Sequence, residues 1–552
     1  MERINLQRSL FGANVDRLGV LAIEKPSTPM RAVVANVWRN HNFETIEAMA
    51  SRYLWWAGLD VVFEVGDYDD SFSFGGHAPA DLEIVWMDPQ RHLSQLGNDA
   101  WETWLTDRIA DLRSRSTAPI VVAIAADGIG SAGARSAAAF ADTHCPDLSE
   151  LCRKVQVPLL DGRVAALQGS PVSRKAQWVL ARQLACHWLP ASILPPVKAL
   201  ALDLDHTLYR GVLGEDGVEG LELTEGHARL QQVAATLADR GVFVGVVSKN
   251  EAADVDHLLG SRTDFPLAST RLAFREVSWG EKADAIERSA SELRIGTDAI
   301  LFVDDNPGEL MAVASRLPAV ATLFAEADAT VTAEALEHFP GLWRWKVGDA
   351  DAVRLGDLRA NAERAQEAAR HSDPAEYRRS LRMRLEVSVD DATDVERLAE
   401  LAGKTNQFNM SLRRFGAAEL ELRRGSMSHS VVGVRLSDRL SDSGLIALVV
   451  AAGDGHDLTV EELCISCRAL GRSLETQIVL SALQAMPAFA ASHRVVFEPV
   501  AGPRNGPALE WLKSVSGATD GESPDRVVWE TKRIAELASA DGVEIVTKGT
   551  SK

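Results

Sequence analysis

Two aspartates one residue apart, Asp203 and Asp205, close the run Val-Lys-Ala-Leu-Ala-Leu-Asp-Leu-Asp-His-Thr-Leu over residues 197–208. Carboxylates this close repel one another unless a cation lies between them or one keeps its proton. The pair therefore predicts a divalent metal, a general acid, or both. A second acidic pair, Asp304-Asp305, ends the apolar run Ala299–Val303, and a hydroxyl, Ser248, ends the run Val242–Val247. A hydroxyl there can hold a phosphoryl oxygen. Lys282, after Trp279-Gly280-Glu281, supplies a fixed cation that would neutralise a transferring phosphoryl group.

Short, continuously apolar runs of this kind suit the interior of a parallel sheet. Side-chain alternation places Asp203 and Asp205 on one side of the strand end, at the carboxyl edge where open α/β sheets bind ligands. An amphipathic helix is expected over Ala228–Asp239. Another opens at Lys282, with Ala283, Ile286, Ala290 and Leu293 at helical spacing, which puts the ammonium near its N-terminus.

Asp-x-Asp-x-Thr, Ser, Lys and Asp-Asp, in that order, resemble the haloacid dehalogenase superfamily of phosphotransferases. The resemblance implies that Asp203 attacks phosphorus and that Asp205 protonates the leaving oxygen and then activates water. Thr207 braces the turn, and Ser248 and Lys282 hold phosphoryl oxygens. Asp203, Asp205, Asp304 and Asp305 form the Mg²⁺ site. The bland alternative is a set of solvated strand-end acids. The intervals between Asp205 and Ser248 and between Ser248 and Lys282 leave no room for a cap domain, so an open site is expected.

The chain has 552 residues, 46% hydrophobic and 25% charged, as in a multidomain globular enzyme. A formal charge of −20 argues against nucleic acid as the main partner. No apolar stretch approaches a membrane span and the start lacks a signal-peptide pattern, so a cytoplasmic location is expected. Five scattered cysteines fit reduced thiols.

Three α/β units are expected. Residues 1–194 alternate strands near 32–35, 60–65, 82–86 and 120–124 with helices near 45–56 and 100–113, a small parallel α/β domain with a vague likeness to esterase-like domains. No nucleophile signature accompanies it. Residues 195–345 form a Rossmann-like phosphotransfer domain without a cap, and 346–372 a helical connector. Residues 373–552 form an α+β domain whose strand, glycine turn and helix have a pyrophosphate-binding shape. Its Arg468, Gly471 and Ser473, with Asn505, resemble the pattern of the acyl-CoA-dependent N-acetyltransferase fold, and the resemblance implies pantetheine binding.

Joining the two halves narrows the likeness. Asp203-Leu-Asp-His-Thr-Leu, Gly214-Glu-Asp-Gly217, Trp279 with Lys282, Val303-Asp-Asp-Asn-Pro with Glu309, Lys404-Thr-Asn-Gln-Phe-Asn409 and Ser466-Cys-Arg-Ala-Leu-Gly-Arg472 together resemble the FkbH-like family. The resemblance implies a glyceryl transferase and phosphatase of polyketide assembly. Such an enzyme would take 1,3-bisphosphoglycerate, remove phosphate, and load a glyceryl thioester on the phosphopantetheine arm of an acyl carrier protein. Cys467, beside Arg468 at a helix start, is the candidate acyl-carrying thiol, with a small buried apolar residue as the alternative. Arg378, Arg379, Arg382, Arg384, Arg413, Arg414, Arg423 and Arg424 either steer an acidic carrier or are ordinary helix surface. FkbH-like proteins generally carry Asn, Trp and Gly where this chain has His206, Tyr209 and Arg210. His206 is expected to point away from the two aspartates. Arg210 adds a cation that bears on phosphate recognition. The runner-up reading is a Mg²⁺-dependent phosphatase of a soluble phosphate ester with the third unit as an interaction module. A non-catalytic scaffold is disfavoured because every motif residue is present.

Overall fold

The computed structural model describes residues 2–12, 14–126, 128, 130–163, 169–346, 373–470, 472–502, 504–516, 526–536 and 542–548, with scattered positions between 360 and 370. Most of the connector expected over 346–372 lies outside the described residues, as does Gly471. The chain divides into two compact units, Met1–Glu292 with Thr297–Val347, and Leu293–Gly296 with Gly348–Lys552. Among the described residues no helix is long and apolar enough to cross a membrane.

The first unit holds two five-stranded sheets in which every pairing is parallel. One contains β1 (Arg31–Arg39), β2 (Leu59–Tyr68), β3 (Leu82–Met87), β4 (Ile120–Ile124) and β5 (Thr143–His144), in the order β2-β1-β3-β4-β5. The other contains β6 (Ala199–Leu202), β7 (Phe243–Ser248), β8 (Leu272–Val277), β9 (Ile300–Asp304) and β10 (Ala321–Phe324), in the order β10-β9-β6-β7-β8. β6, β7 and β9 are buried along their whole length, which is why they read as unbroken apolar runs. Chain order runs outward from β6 through β7 to β8 and then resumes on its other flank with β9. This makes the β6/β9 edge a topological switch point, where ligands bind in such sheets.

One hydrophobic cluster runs from Val33, Val37 and Trp56 of the first sheet layer to Leu202, Val246 and Val303 of the second. The first helix, Glu2–Phe11, is pinned to the edge of the second sheet, because the Gln7 amide donates to Phe324 O at 2.7 Å and accepts from Phe324 N at 3.3 Å. Gly245 on β7 is required by its neighbour: a Cβ there would lie 2.5 Å from the Phe274 ring. The β6–β7 connection contains the helices Leu213–Gly220 and Glu225–Asp239, and the β7–β8 connection the helix Ala252–Ser261. Thr224 caps the second of these, with its hydroxyl accepting from His227 N.

The second unit is built on a seven-stranded sheet of β11 (Met383–Val389), β12 (His429–Ser437), β13 (Asp442–Gly453), β14 (Asp457–Ile465), β15 (Arg494–Phe497), β16 (Val527–Glu530) and β17 (Val543–Thr547), in the order β16-β15-β14-β13-β12-β11-β17. β11 to β14 pair antiparallel, whereas β15 is parallel to β14 and β17 is parallel to β11. β15 meets β14 only over Asp457–Val460. Beyond that point the two strands part, and the far half of β14 bonds instead to the segment 408–410: Met410 N donates to Leu463 O and Ile465 N to Phe408 O, both at 2.9 Å. Val500 N, past the end of β15, donates to Met410 O at 2.9 Å. Residues 408–410 thus fill the opening between the diverging strands and satisfy backbone groups that would otherwise be orphaned.

Candidate active site

Parallel register brings the strand tips level. Leu202 of β6 pairs with Val303 of β9 on one side and with Val246 of β7 on the other, so Asp203 emerges beside Asp304, and Ser248 follows from the next strand. The Asp203 amide continues the ladder, donating to Val303 O at 2.9 Å. Lys282 opens the helix Lys282–Glu292, and its ammonium lies 2.8 Å from Asp203 Oδ1 and 2.6 Å from Asp304 Oδ2. All three side chains are almost completely buried. The other Asp304 oxygen accepts from Asn306 N at 2.8 Å, and the Asn306 side chain caps the helix that Pro307 begins.

Carboxylate oxygens of Asp203, Asp304 and Asp305 lie within 4.8 Å of one another. One ammonium cannot balance three acids. Burial raises Asp203, against the pull of Lys282, and raises Asp304 to about 7, with the Asp203 charge adding to the effect; burial also raises Asp305, again with Asp203 adding to it. Burial disfavours the charged form of Lys282, but the two carboxylates outweigh it and hold its pKa above the ordinary lysine value. The cluster thus has an unmet demand for positive charge that either protons or a cation can meet. Clustered hard oxygen donors fit Mg²⁺.

The Asp205 carboxylate stands outside that group. Its Oδ1 accepts from the Tyr209 hydroxyl at 2.8 Å and from Leu213 N at 3.0 Å, and its Oδ2 accepts from Asn250 Nδ2 at 2.9 Å. Asn250 Nδ2 is also 3.2 Å from Ser248 Oγ, and the Ser248 hydroxyl bonds to Asp203. The side-chain placement therefore gives Asp203, Asp304 and Asp305 as the metal-type triad, and sets the Asp205 carboxylate apart as a group held by hydrogen bonds. Thr207 is buried beneath the turn, and among the described residues its hydroxyl has no partner.

The residues after the aspartates form a folded-back loop. His206 adopts φ 53, a left-handed conformation that His tolerates better than most side chains, and Gly211 adopts φ 120. The His206 ring turns back onto this loop, with Nδ1 3.4 Å from Gly211 N, and makes no hydrogen bond to Asp203 or Asp205 among the described residues. Arg210, expected to touch phosphate, is turned to Glu222 instead, with Nη1 at 2.9 Å from Oε2 and the two backbones bonded in both directions. A second group of potential metal donors, Glu334, Glu337 and His338, carries the guanidinium groups of Arg182 and Arg229 as counter-ions, which disfavours a further cation there.

In the second unit Cys467 is half-buried, two residues past the end of β14, while Cys464 is fully buried and its thiol is pushed well above the ordinary range by desolvation. Arg468 is directed inward, its guanidinium donating to Leu445 O at 3.1 Å. Ser473 has φ 54. Asn505 is completely buried: Nδ2 donates to Asn409 O at 2.9 Å and Val500 O at 2.8 Å, and Oδ1 accepts from Gly502 N at 2.9 Å. These bonds give Asn505 the role of a clamp on the 408–410 segment rather than that of a pantetheine contact. Asn409 is likewise buried, its Oδ1 accepting from Leu412 N at 2.7 Å, whereas Asn406 is half-buried and Gln407 is exposed, so the polar stretch Lys404–Asn409 turns one amide inward and leaves another at the surface. Of the arginines considered for steering, Arg413 and Arg423 pair with Glu461 and Arg424 with Glu421.

No protein-family model and no curated protein matches the sequence. Among solved structures, the chain is similar to the N-terminal part of the protein BF1531 from Bacteroides fragilis, described as containing a phosphatase domain complexed with Mg. That likeness has 17% identity and a TM-score of 0.43, and covers 61% of this chain and 98% of the other. A second likeness, to a GCN5-related glucosamine N-acetyltransferase region of a fungal multi-domain β-N-acetylglucosaminidase, has 12% identity and a TM-score of 0.17, covering 91% of this chain and 64% of the other.

Tyr209 and Asn250 are site residues that motif spacing did not reveal. Tyr209 lies four residues after Asp205 on an irregular loop, where neither strand nor helix periodicity assigns a direction. Asn250 lies 45 residues away in sequence and reaches Asp205 only because β6 and β7 are adjacent. Its one signal is a polar amide directly following the strand-end Ser248-Lys249.

Proposed function

We propose that this chain is a Mg²⁺-dependent phosphotransferase of the haloacid dehalogenase type, acting on a phosphate ester through a phosphorylated Asp203. The observation that carries the proposal is the convergence of buried Asp203 and Asp304 on the Lys282 ammonium, with half-buried Asp305 beside them. An Asp203 oxygen attacks phosphorus and the bond to the leaving oxygen breaks, with Asp205 giving that oxygen its proton. Water then attacks the aspartyl phosphate and passes a proton to Asp205, releasing inorganic phosphate and restoring the Asp203 carboxylate. Lys282 and Ser248 hold phosphoryl oxygens. Mg²⁺ held by Asp203, Asp304 and Asp305 would supply charge neutralisation for the phosphoryl group.

The finer reading follows the FkbH-like resemblance. The substrate is 1,3-bisphosphoglycerate, the C3 ester is cleaved at the Asp203 site, and a glyceryl group passes to the pantetheine thiol of an acyl carrier protein. The C1 acyl phosphate is already activated, so a thiolate sulfur attacks C1, forms the thioester and expels phosphate without needing the aspartates. Cys467, half-exposed at the end of β14, is the proposed intermediate acyl carrier. A second reading, a phosphatase of a soluble ester with the C-terminal unit as an interaction module, is favoured by the segment 408–410. It occupies the β14/β15 opening, where an extended arm would otherwise pair with free strand edges.

Incubation with Mg²⁺, 1,3-bisphosphoglycerate and a phosphopantetheinylated carrier, read by intact mass, separates the two. A glyceryl adduct on the carrier supports transfer, and phosphate release without an adduct supports the phosphatase. Absence of both overturns the phosphotransferase reading itself.

A further inference from the structure

The two oxygens of Asp205 are held unequally. Oδ1 is tied on the loop side by Tyr209 and Leu213 N, while Oδ2 accepts from Asn250, which in turn touches Ser248 on the phosphoryl side. A carboxyl group acts as a general acid only when its proton-bearing oxygen faces the leaving group. Rotation about the Cβ–Cγ bond exchanges the two oxygens, and the donors on Oδ1 oppose that exchange. Tyr209 suits this task. Its side chain is fully buried against Phe265, and burial beside Asp205 pushes the phenol far above its ordinary range, so it remains a donor. Leu213 N opens the helix Leu213–Gly220 that follows the folded-back loop, and the Arg210–Glu222 backbone pair fastens the chain on either side of that helix, so the carboxylate and the loop hold each other in place.

We propose that Tyr209 is a positioning residue for proton transfer, holding Asp205 so that Oδ2 delivers its proton to the departing oxygen of a phosphate ester with a poor leaving group. This rests on the reading of Asp205 as the acid–base group. The substrate class that depends on Tyr209 is thus the alkyl phosphates, whose alkoxide cannot depart unprotonated. Aryl phosphates leave as stabilised phenolates and need no such help.

The test compares kcat/KM, which reports events up to departure of the leaving group, for 4-nitrophenyl phosphate and for a simple alkyl phosphate, using the full chain with Mg²⁺. Tyr209→Phe keeps the ring and removes only the hydroxyl. It is expected to lower the alkyl value roughly tenfold or more and the aryl value less than about threefold. In an Asp205→Asn background the same change is expected to add no further loss for the alkyl ester, because the group it positions is already disabled. Equal losses on both substrates, or a further loss in the Asp205→Asn background, would show a structural role and overturn the inference alone. A Tyr209→Phe protein that does not fold overturns it as well. A wild-type protein inactive on both esters overturns the phosphotransferase reading and the inference with it.

Discussion

Lys282 Nζ lies 2.6 Å from Asp304 Oδ2 and is shared with Asp203 at 2.8 Å, deep beneath the strand tips. Removing one partner from a buried ion cluster leaves charge uncompensated, at about 3–5 kcal/mol. Lys282→Met is expected to lower phosphatase activity by about 10²–10³-fold through loss of transition-state charge stabilisation. Its thermal unfolding midpoint is also expected to fall and to recover in part with millimolar Mg²⁺. A variant with wild-type turnover would remove Lys282 from the mechanism.

Metal binding is expected to depend on pH in a set direction. Asp304 is raised to about 7, so near and below that value protons compete with a cation for the cluster. Mg²⁺ affinity, measured calorimetrically, is expected to weaken steadily as pH falls from 8 to 6, with proton release on binding near pH 7. A pH-independent affinity would contradict the placement of the ion among these acids.

The first unit buries several histidines in neutral form. Desolvation lowers His41 to about 3, and His144 and His187 to about 4. A folded-state pKa below the unfolded value means that the unfolded chain binds more protons, so the stability these groups supply is complete above about pH 6.5 and is lost as pH falls toward 4. The melting temperature of this unit is expected to decline over that interval. Replacing His187, which stacks on His338 and Trp343, with Gln should flatten the decline.

Much of this architecture could be read from the chain. The apolar runs near 199–202, 243–247 and 300–303 had to be buried parallel strands, and the polar residues that end them had to meet at one edge. The meeting of Asp203, Ser248 and Asp304 follows from that, whereas Lys282 is placed by the helix it opens, and Asp205, read from the sequence as a fourth metal ligand, stands apart from the other three acids. What escaped were contacts set by long-range packing. β10 and β17 are short strands with little pattern, and Asn250 meets Asp205 only through sheet order. Within Lys404–Asn409, Asn409 is polar because its amide satisfies backbone in a gap between strands, a demand that appears only when β14 and β15 diverge.

Asn505 carries a prediction that separates a clamp from a ligand contact. Its side chain makes three bonds to backbone groups, and deleting it leaves the buried Asn409 carbonyl without that partner, at about 1–3 kcal/mol, along with the part-buried Val500 O and Gly502 N. Asn505→Ala is expected to shift the urea midpoint of the second unit to lower concentration and to leave hydrolysis of 4-nitrophenyl phosphate unchanged. Unaltered stability would return Asn505 to a binding role.

The most direct test is a rapid quench of the protein with Mg²⁺ and a phosphate ester, followed by peptide mass mapping. One phosphoryl group on the peptide containing Asp203, absent from Asp203→Asn along with turnover, is the predicted result. Turnover that persists in Asp203→Asn, or phosphate release with the label on another residue, would contradict the account.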